Sequence, residues 1–228
     1  VYGSSDWDRV GRMGGIGIPL AVVPGEGVVT GYASKFSDGT PTVEAASVLA
    51  SSTPWYDANG ESMVVLRLAD DGSTSWIKTM SGNDALFFID TVVDASGNIY
   101  VAGVHHTNFE PEVTLPYGDF GADVDNASSD SDGSRDFFVA KLGADGETIW
   151  LEVAGTEGGD ELRSIDLDSA GNIIMVGYSD GSKAIGGDLY SEPREANTRT
   201  IIVKINANGT LVGLENYNSE ELSIFNSV

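Results

Sequence analysis

The sequence predicts an all-β protein built from three copies of one four-stranded antiparallel unit, and three observations carry that prediction. A turn-and-strand phrase recurs, as "GEGVVTG" at 25–31, "GNIYVAG" at 97–103 and "GNIIMVG" at 171–177. A second hairpin recurs out of phase with it, as "MVVLRLADDGSTSW" at 63–76, "FFVAKLGADGETIW" at 137–150 and "IIVKINANGTLVG" at 201–213. No window of useful length shows sustained 3.6-residue periodicity, the mark of an amphipathic helix.

The first phrase opens at Gly25, Gly97 and Gly171, a spacing of 72 and then 74 residues. Each copy ends one strand, turns on Gly, with Asp and Asn beside it in the second and third copies, and continues as an alternating apolar strand that stops at Gly. First strands therefore end near Val23, Val93 and Leu167, and second strands run through Val28, Ile99 and Ile173. The second hairpin turns on Asp-Gly or Asn-Gly, the strongest short-range hairpin signal. It places third strands through Val65, Val139 and Val203 and fourth strands through Trp76, Trp150 and Leu211. Between second and third strands stand three long segments, about 33–61, 105–135 and 180–199, rich in Ser, Gly, Asp, Pro and Asn. Inserts at one place in each unit must emerge on one face of the assembly, where variation and function are expected.

The units run from about 14–80, 81–154 and 155–217, with 218–228 the start of a further unit or a tail. At the other end "VYGSSDWD" at 1–8 reads as the tail of a preceding fourth strand, so the chain is expected to enter and leave in mid-array. It opens on Val1 with no basic, apolar signal segment, as a mature or trimmed product would.

Composition bounds the function. Of 228 residues, 41% are hydrophobic and 21% charged, values of an ordinary globular chain rather than a disordered or membrane one. The formal charge of −23 is spread along the chain and repels phosphate, which excludes nucleic acid as a partner; no apolar run is long enough for membrane insertion. Divalent cations, basic partners or a salty medium suit such a surface. Cysteine is absent, so disulfides and thiol chemistry are excluded.

The phrase "EVAGTEGGDELRSIDLDSAGNIIMVGYSD" at 152–180 resembles the β-propeller repeat of the seven-bladed type: Gly-Gly, Asp, an apolar strand, Asp-x-x-Gly-Asn, and a strand ending in Gly-Tyr. "TMSGNDALFFIDTVVDASGNIYVAGVH" at 79–105 fits nearly as well, and "GIPLAVVPGEGVVTGYAS" at 17–34 less well, with Pro24 near the turn and Gly27 in place of Asn. The resemblance covers the strands and almost none of the inserts. It implies β-propeller blades, part of a larger propeller or assembly, since closed rings have about four to eight blades. In such blades Trp76 and Trp150 fill the wedge between neighbours, and Asp94 and Asp168 cap the turns that follow them. Gly213 stands where a third indole is expected.

Candidate chemistry is sparse. In "SSDSDGSRD" at 128–136, Ser128, Asp130, Asp132 and Asp136 around Gly133 approximate an Asp-rich calcium loop, with Asp123 and Asp125 as further oxygen donors; the alternative is a solvated acidic loop. Asp57 and Asn59 in the first insert are too few ligands. His105 and His106, the only histidines, are adjacent on a strand and point to opposite sides, which argues against a paired metal site. "RMGGIGIP" at 12–19 lacks the Lys-Ser/Thr ending of a phosphate loop. Asn126 and Asn208 head glycosylation sequons in exposed settings. Trp55, Tyr56 and Tyr117 in the inserts serve either sugar stacking or the anchoring of long loops.

The sequence by itself favours a non-enzymatic, extracellular or cell-surface propeller module of a surface or filamentous assembly, stabilised by calcium. Its partners would be proteins, glycans or further copies meeting at blade edges. The rival is an enzyme, a hydrolase or lyase of polysaccharide, or a carbohydrate-binding propeller, with its site in the long inserts.

Overall fold

The structure, a computed structural model, describes residues 20–23, 27–35, 61–82, 86–106, 135–155, 158–179 and 199–218. These residues form twelve strands in three sheets and contain no helix. The first sheet comprises β1 (Leu20–Val23), β2 (Gly27–Lys35), β3 (Glu61–Leu68) and β4 (Thr74–Gly82). The second comprises β5 (Leu86–Val93), β6 (Ile99–His106), β7 (Arg135–Leu142) and β8 (Thr148–Ala154). The third comprises β9 (Asp160–Leu167), β10 (Ile173–Ser179), β11 (Arg199–Ile205) and β12 (Leu211–Asn218). Strand order follows chain order in each sheet and every pairing is antiparallel, so each sheet is a propeller-like blade.

Local chemistry explains the repetition. In the second blade the Asp94 carboxylate accepts the backbone N–H groups of Ser96 and Asn98, at 2.8 and 2.9 Å, and the Asn98 side-chain amide at 2.7 Å. Asp168 does the same with Ala170 and Asn172 in the third. Both turns close through a Gly with positive φ, 82° at Gly97 and 78° at Gly171, a region that side chains with a Cβ avoid. All three β3–β4-type hairpins carry an irregularity at one position, Arg67/Leu68, Lys141/Leu142 and Lys204/Ile205, so equivalent positions stand opposite one another in each blade.

Apolar alternation puts one set of side chains on each face of a blade, and blades bury those faces against one another. Val23, Val29, Val65, Phe88, Ile99, Val101, Phe138, Ala140 and Leu142 form one core between the first and second blades, with Trp76 packed on it. Tyr100, Ala102, Phe137, Leu162, Ile165, Ile173, Met175, Ile201 and Val203 belong to the second core, between the second and third blades, with Trp150 packed on it.

The second strands run on to Lys35, His106 and Ser179, and the third begin at Glu61, Arg135 and Arg199. The three inserts thus leave from one end of the blades, the end at which β5 and β9 begin. Asp136, assigned from sequence to an acidic loop, is instead the second residue of β7 and is buried. It pairs in register with His105, and that ladder extends the strand one position before it.

Candidate functional site

The end that bears the inserts also carries two buried carboxylates from neighbouring blades. Asp136, near the start of β7 in the second blade, is 2% exposed, and Asp160, the first residue of β9 in the third, is fully buried. Asp136 Oδ1 is enclosed with no hydrogen-bond partner among the described residues. A Cβ built on Gly155 would fall 1.9 Å from that oxygen, so only glycine there leaves room for the carboxyl. Burial, and then the charge of Asp160, push the Asp136 carboxyl up to about 7. Two like groups taken out of water oppose each other's ionisation, and a proton or a cation between them relieves both penalties.

A second carboxylate joins the same two blades. Asp90 on β5 accepts the Ser164 hydroxyl at 2.8 Å and the Ile165 backbone N–H at 3.0 Å, both on β9, while its other oxygen accepts the Thr91 N–H. Asp90 is a satisfied inter-blade clamp.

Of the residues proposed from sequence to hold calcium, Asp136 is described and Ser128, Asp130 and Asp132 lie outside the described residues, as do Asp123 and Asp125. Among the described residues no group of three or more acidic or histidine side chains is close enough to hold a metal, and calcium is not shown. Asn126, Asp57, Asn59, Trp55, Tyr56, Tyr117 and the 12–19 segment also lie outside the described residues. Asn208 is exposed on the β11–β12 turn, and its N–H donates to Asn206 Oδ1. His105 and His106 are the last two residues of β6.

Trp76 donates its indole N–H to the Ala144 carbonyl of the second blade, and Trp150 donates to the Ala207 carbonyl of the third, both at 3.1 Å. Beside each indole a cation reaches the same carbonyl, Arg67 to Ala144 and Lys141, at 3.2 Å, to Ala207. Lys141 also lies 5.1 Å from the centre of the Tyr100 ring. In the third blade Lys204 reaches the β9–β10 turn of its own blade, 2.6 Å from Asp168 Oδ2. Hydrogen bonds from Asn172, then Lys204, hold the Asp168 carboxyl well below the usual range. At Asp94 partial burial raises the carboxyl, but the donors Asn98, Ser96 and Tyr100 outweigh it and the net direction is down.

Asp160 and Asp90 were not singled out from sequence. Asp160 does have a signal, the Asp after Gly-Gly in the repeat phrase, but nothing in one sequence tells which carboxylate of a neighbouring blade it will face.

No protein-family model matches the chain, nor does the sequence of any curated protein. Among solved structures, a variant of the Synechocystis apocarotenoid oxygenase matches with a TM-score of 0.42 at 14% identity, covering 89% of this chain and 38% of that one. Its cobalt-substituted form matches at 0.39 and 14% identity, covering 92% and 41%. A protein of unknown function from Bacteroides caccae matches at 0.36 and 11% identity, covering 90% and 61%. The chain thus spans less than two thirds of each of these neighbours. The printed names of the Synechocystis neighbours are those of an oxygenase, and the expectation of a non-enzymatic structural or filamentous module is withdrawn: an array of β-blades does not by itself speak for a structural role. Likeness of this depth brings no activity, substrate or metal to the chain.

Proposed function

We propose that the insert-bearing end of the second and third blades is the ligand site of this protein, and that a divalent cation held by Asp136 and Asp160 organises it. One observation carries the reading: a buried carboxylate oxygen on Asp136 has no hydrogen-bond partner among the described residues and stands where a second buried carboxylate raises its proton affinity. A bound cation reverses that repulsion. The donors are all oxygens, which favours calcium, and the chain itself supplies more of them just before β7, at Ser128, Asp130 and Asp132. Blade-to-blade bridging by the ion would fix the bases of two inserts at once.

Carbohydrate is the ligand class that these inserts suit, with Trp55, Tyr56 and Tyr117 as stacking candidates in their sequence. A hydrolase or lyase of polysaccharide is the enzymatic form of the same reading. Assignment to the seven-bladed type of β-propeller repeat rests on the phrase at 152–180 and belongs with this proposal, as does an extracellular setting, where calcium is abundant enough to fill a modest site.

Calcium titration by calorimetry, at one pH above and one below the Asp136 titration, tests the site. The expected result is binding that weakens at the lower pH, releases protons, and is lost in Asp136→Asn, because only the ionised carboxyl is a ligand. Equal affinity in wild type and variant, or no binding at either pH, would sink it.

A further inference from the structure

The contact that joins the blades has a direction. From the first blade to the second, an indole and a cation on facing positions of the third and fourth strands, Arg67 opposite Trp76, converge on the carbonyl of Ala144 in the next blade's hairpin turn. From the second to the third, Lys141 opposite Trp150 converges on the carbonyl of Ala207. Each indole also covers the glycine of the turn it reaches. A Cβ on Gly146 would lie 2.9 Å from the Trp76 ring, and one on Gly209 would lie 3.3 Å from Trp150. Every link therefore has a donor side, Arg or Lys with Trp, and an acceptor side, a carbonyl two residues before a positive-φ glycine.

The same acceptor stands on the first blade with no donor described. Its turn runs Ala69, Asp70, Asp71, Gly72, the counterpart of Gly143, Ala144, Asp145, Gly146, and Gly72 has the same positive φ, 82° against 87°. Asp70 is exposed, and among the described residues no side chain donates to its carbonyl. On the third blade the donor side is broken. Gly213 faces Lys204 where Trp150 faces Lys141, and Lys204 is committed to Asp168.

We infer that the turn at 69–72 is an open docking surface for a further blade of the donor type, one that presents an Arg or Lys beside a fourth-strand Trp. A second copy of this chain, offering its third blade, lacks that indole and is not the occupant. By this contact the chain does not propagate head to tail by self-association.

Gly213→Trp converts the third blade into a donor. The site has room, since a Cβ at Gly213 meets only Lys204 Cβ, at 3.7 Å. Sedimentation equilibrium of the full chain would read the outcome. Wild type shows no association that Gly72→Ala removes, whereas Gly213→Trp shows a weight-average mass that rises with concentration. Adding Gly72→Ala to Gly213→Trp, which places a methyl under the incoming ring, returns the mass to that of wild type. A folded Gly213→Trp chain with unchanged mass overturns the inference, as does association that survives Gly72→Ala. Should the tryptophan variant not fold, amide shifts of the wild-type chain with 3-methylindole decide. Perturbation at 70–73 and not at 144–147 or 207–210 is the expected pattern, and no perturbation at 70–73 overturns it.

Discussion

At the scale of single residues, burial separates carboxylates that look alike in sequence. Asp94 and Asp168 sit in turns rich in donors and are held ionised; Asp136 sits under a neighbouring blade and holds its proton to about 7. The sign for Asp136 is the reverse of the usual acidic residue. Its folded proton affinity exceeds the unfolded one, so stability falls as pH rises from about 4, where the unfolded carboxyl ionises, to about 7, where the folded one does. In calcium-free solution Asp136→Asn should flatten that decline, as read by urea unfolding across the range, and the decline persisting unchanged would remove Asp136 as its source. For Asp168 the direction is the ordinary one, with stability present at neutral pH and lost as the solution is acidified through the depressed folded value. Asp168→Asn should therefore weaken the acid-limb loss, measured as melting temperature against pH.

At the scale of elements, the turns and the indoles act together. Gly146 and Gly171 share a positive φ, but an added Cβ meets the Trp76 ring at the first and nothing within 4 Å at the second. Gly171→Ala should cost about 1–2 kcal/mol from the backbone alone, and Gly146→Ala more, because the ring must also move. Equal costs in denaturant unfolding would mean that the indole is not seated on the turn. Trp150 packs on the core between the second and third blades, 6.1 Å from the Tyr100 ring centre, and donates to Ala207. Trp150→Phe should lose about 1 kcal/mol with the hydrogen bond, and Trp150→Ala about 3 kcal/mol or more with the packing. The strands and turns that make these contacts were legible from sequence, since alternation and Asp-Gly or Asn-Gly pairs are local signals. The acceptor of each indole was not, since it lies 68 residues away for Trp76 and 57 for Trp150.

At the scale of the whole molecule, the blades are held by two apolar cores and by a few polar ties across them. Asp90 is the tie nearest the insert-bearing end that is fully described, and Asp90→Ala leaves the Ser164 hydroxyl and the Ile165 N–H to find other partners. The expected cost is about 1–3 kcal/mol, with faster hydrogen exchange at Ile165 than at Met175, which pairs within its own blade. Uniform loss of protection would show that the blades do not separate as units. The formal charge of −23 opposes compaction throughout, so added salt should raise the melting temperature by screening.

What the sequence determined by itself was the unit and its repetition, because both rest on neighbours in the chain: apolar alternation in "GNIIMVG", turn residues in "DASGN" and "GADGE", and a period that recurs. It also marked the end of the assembly where inserts gather. Only the tertiary structure decided which groups meet there. Asp136 was read as a loop ligand and is a buried strand residue; its partner is Asp160 of the next blade, 24 residues on, and Asp90 finds Ser164, 74 residues on. Those pairings depend on how one blade is rotated against the next, and that rotation is set by the fit of whole apolar faces, Phe137 and Tyr100 against Ile165 and Met175, rather than by any local run of residues.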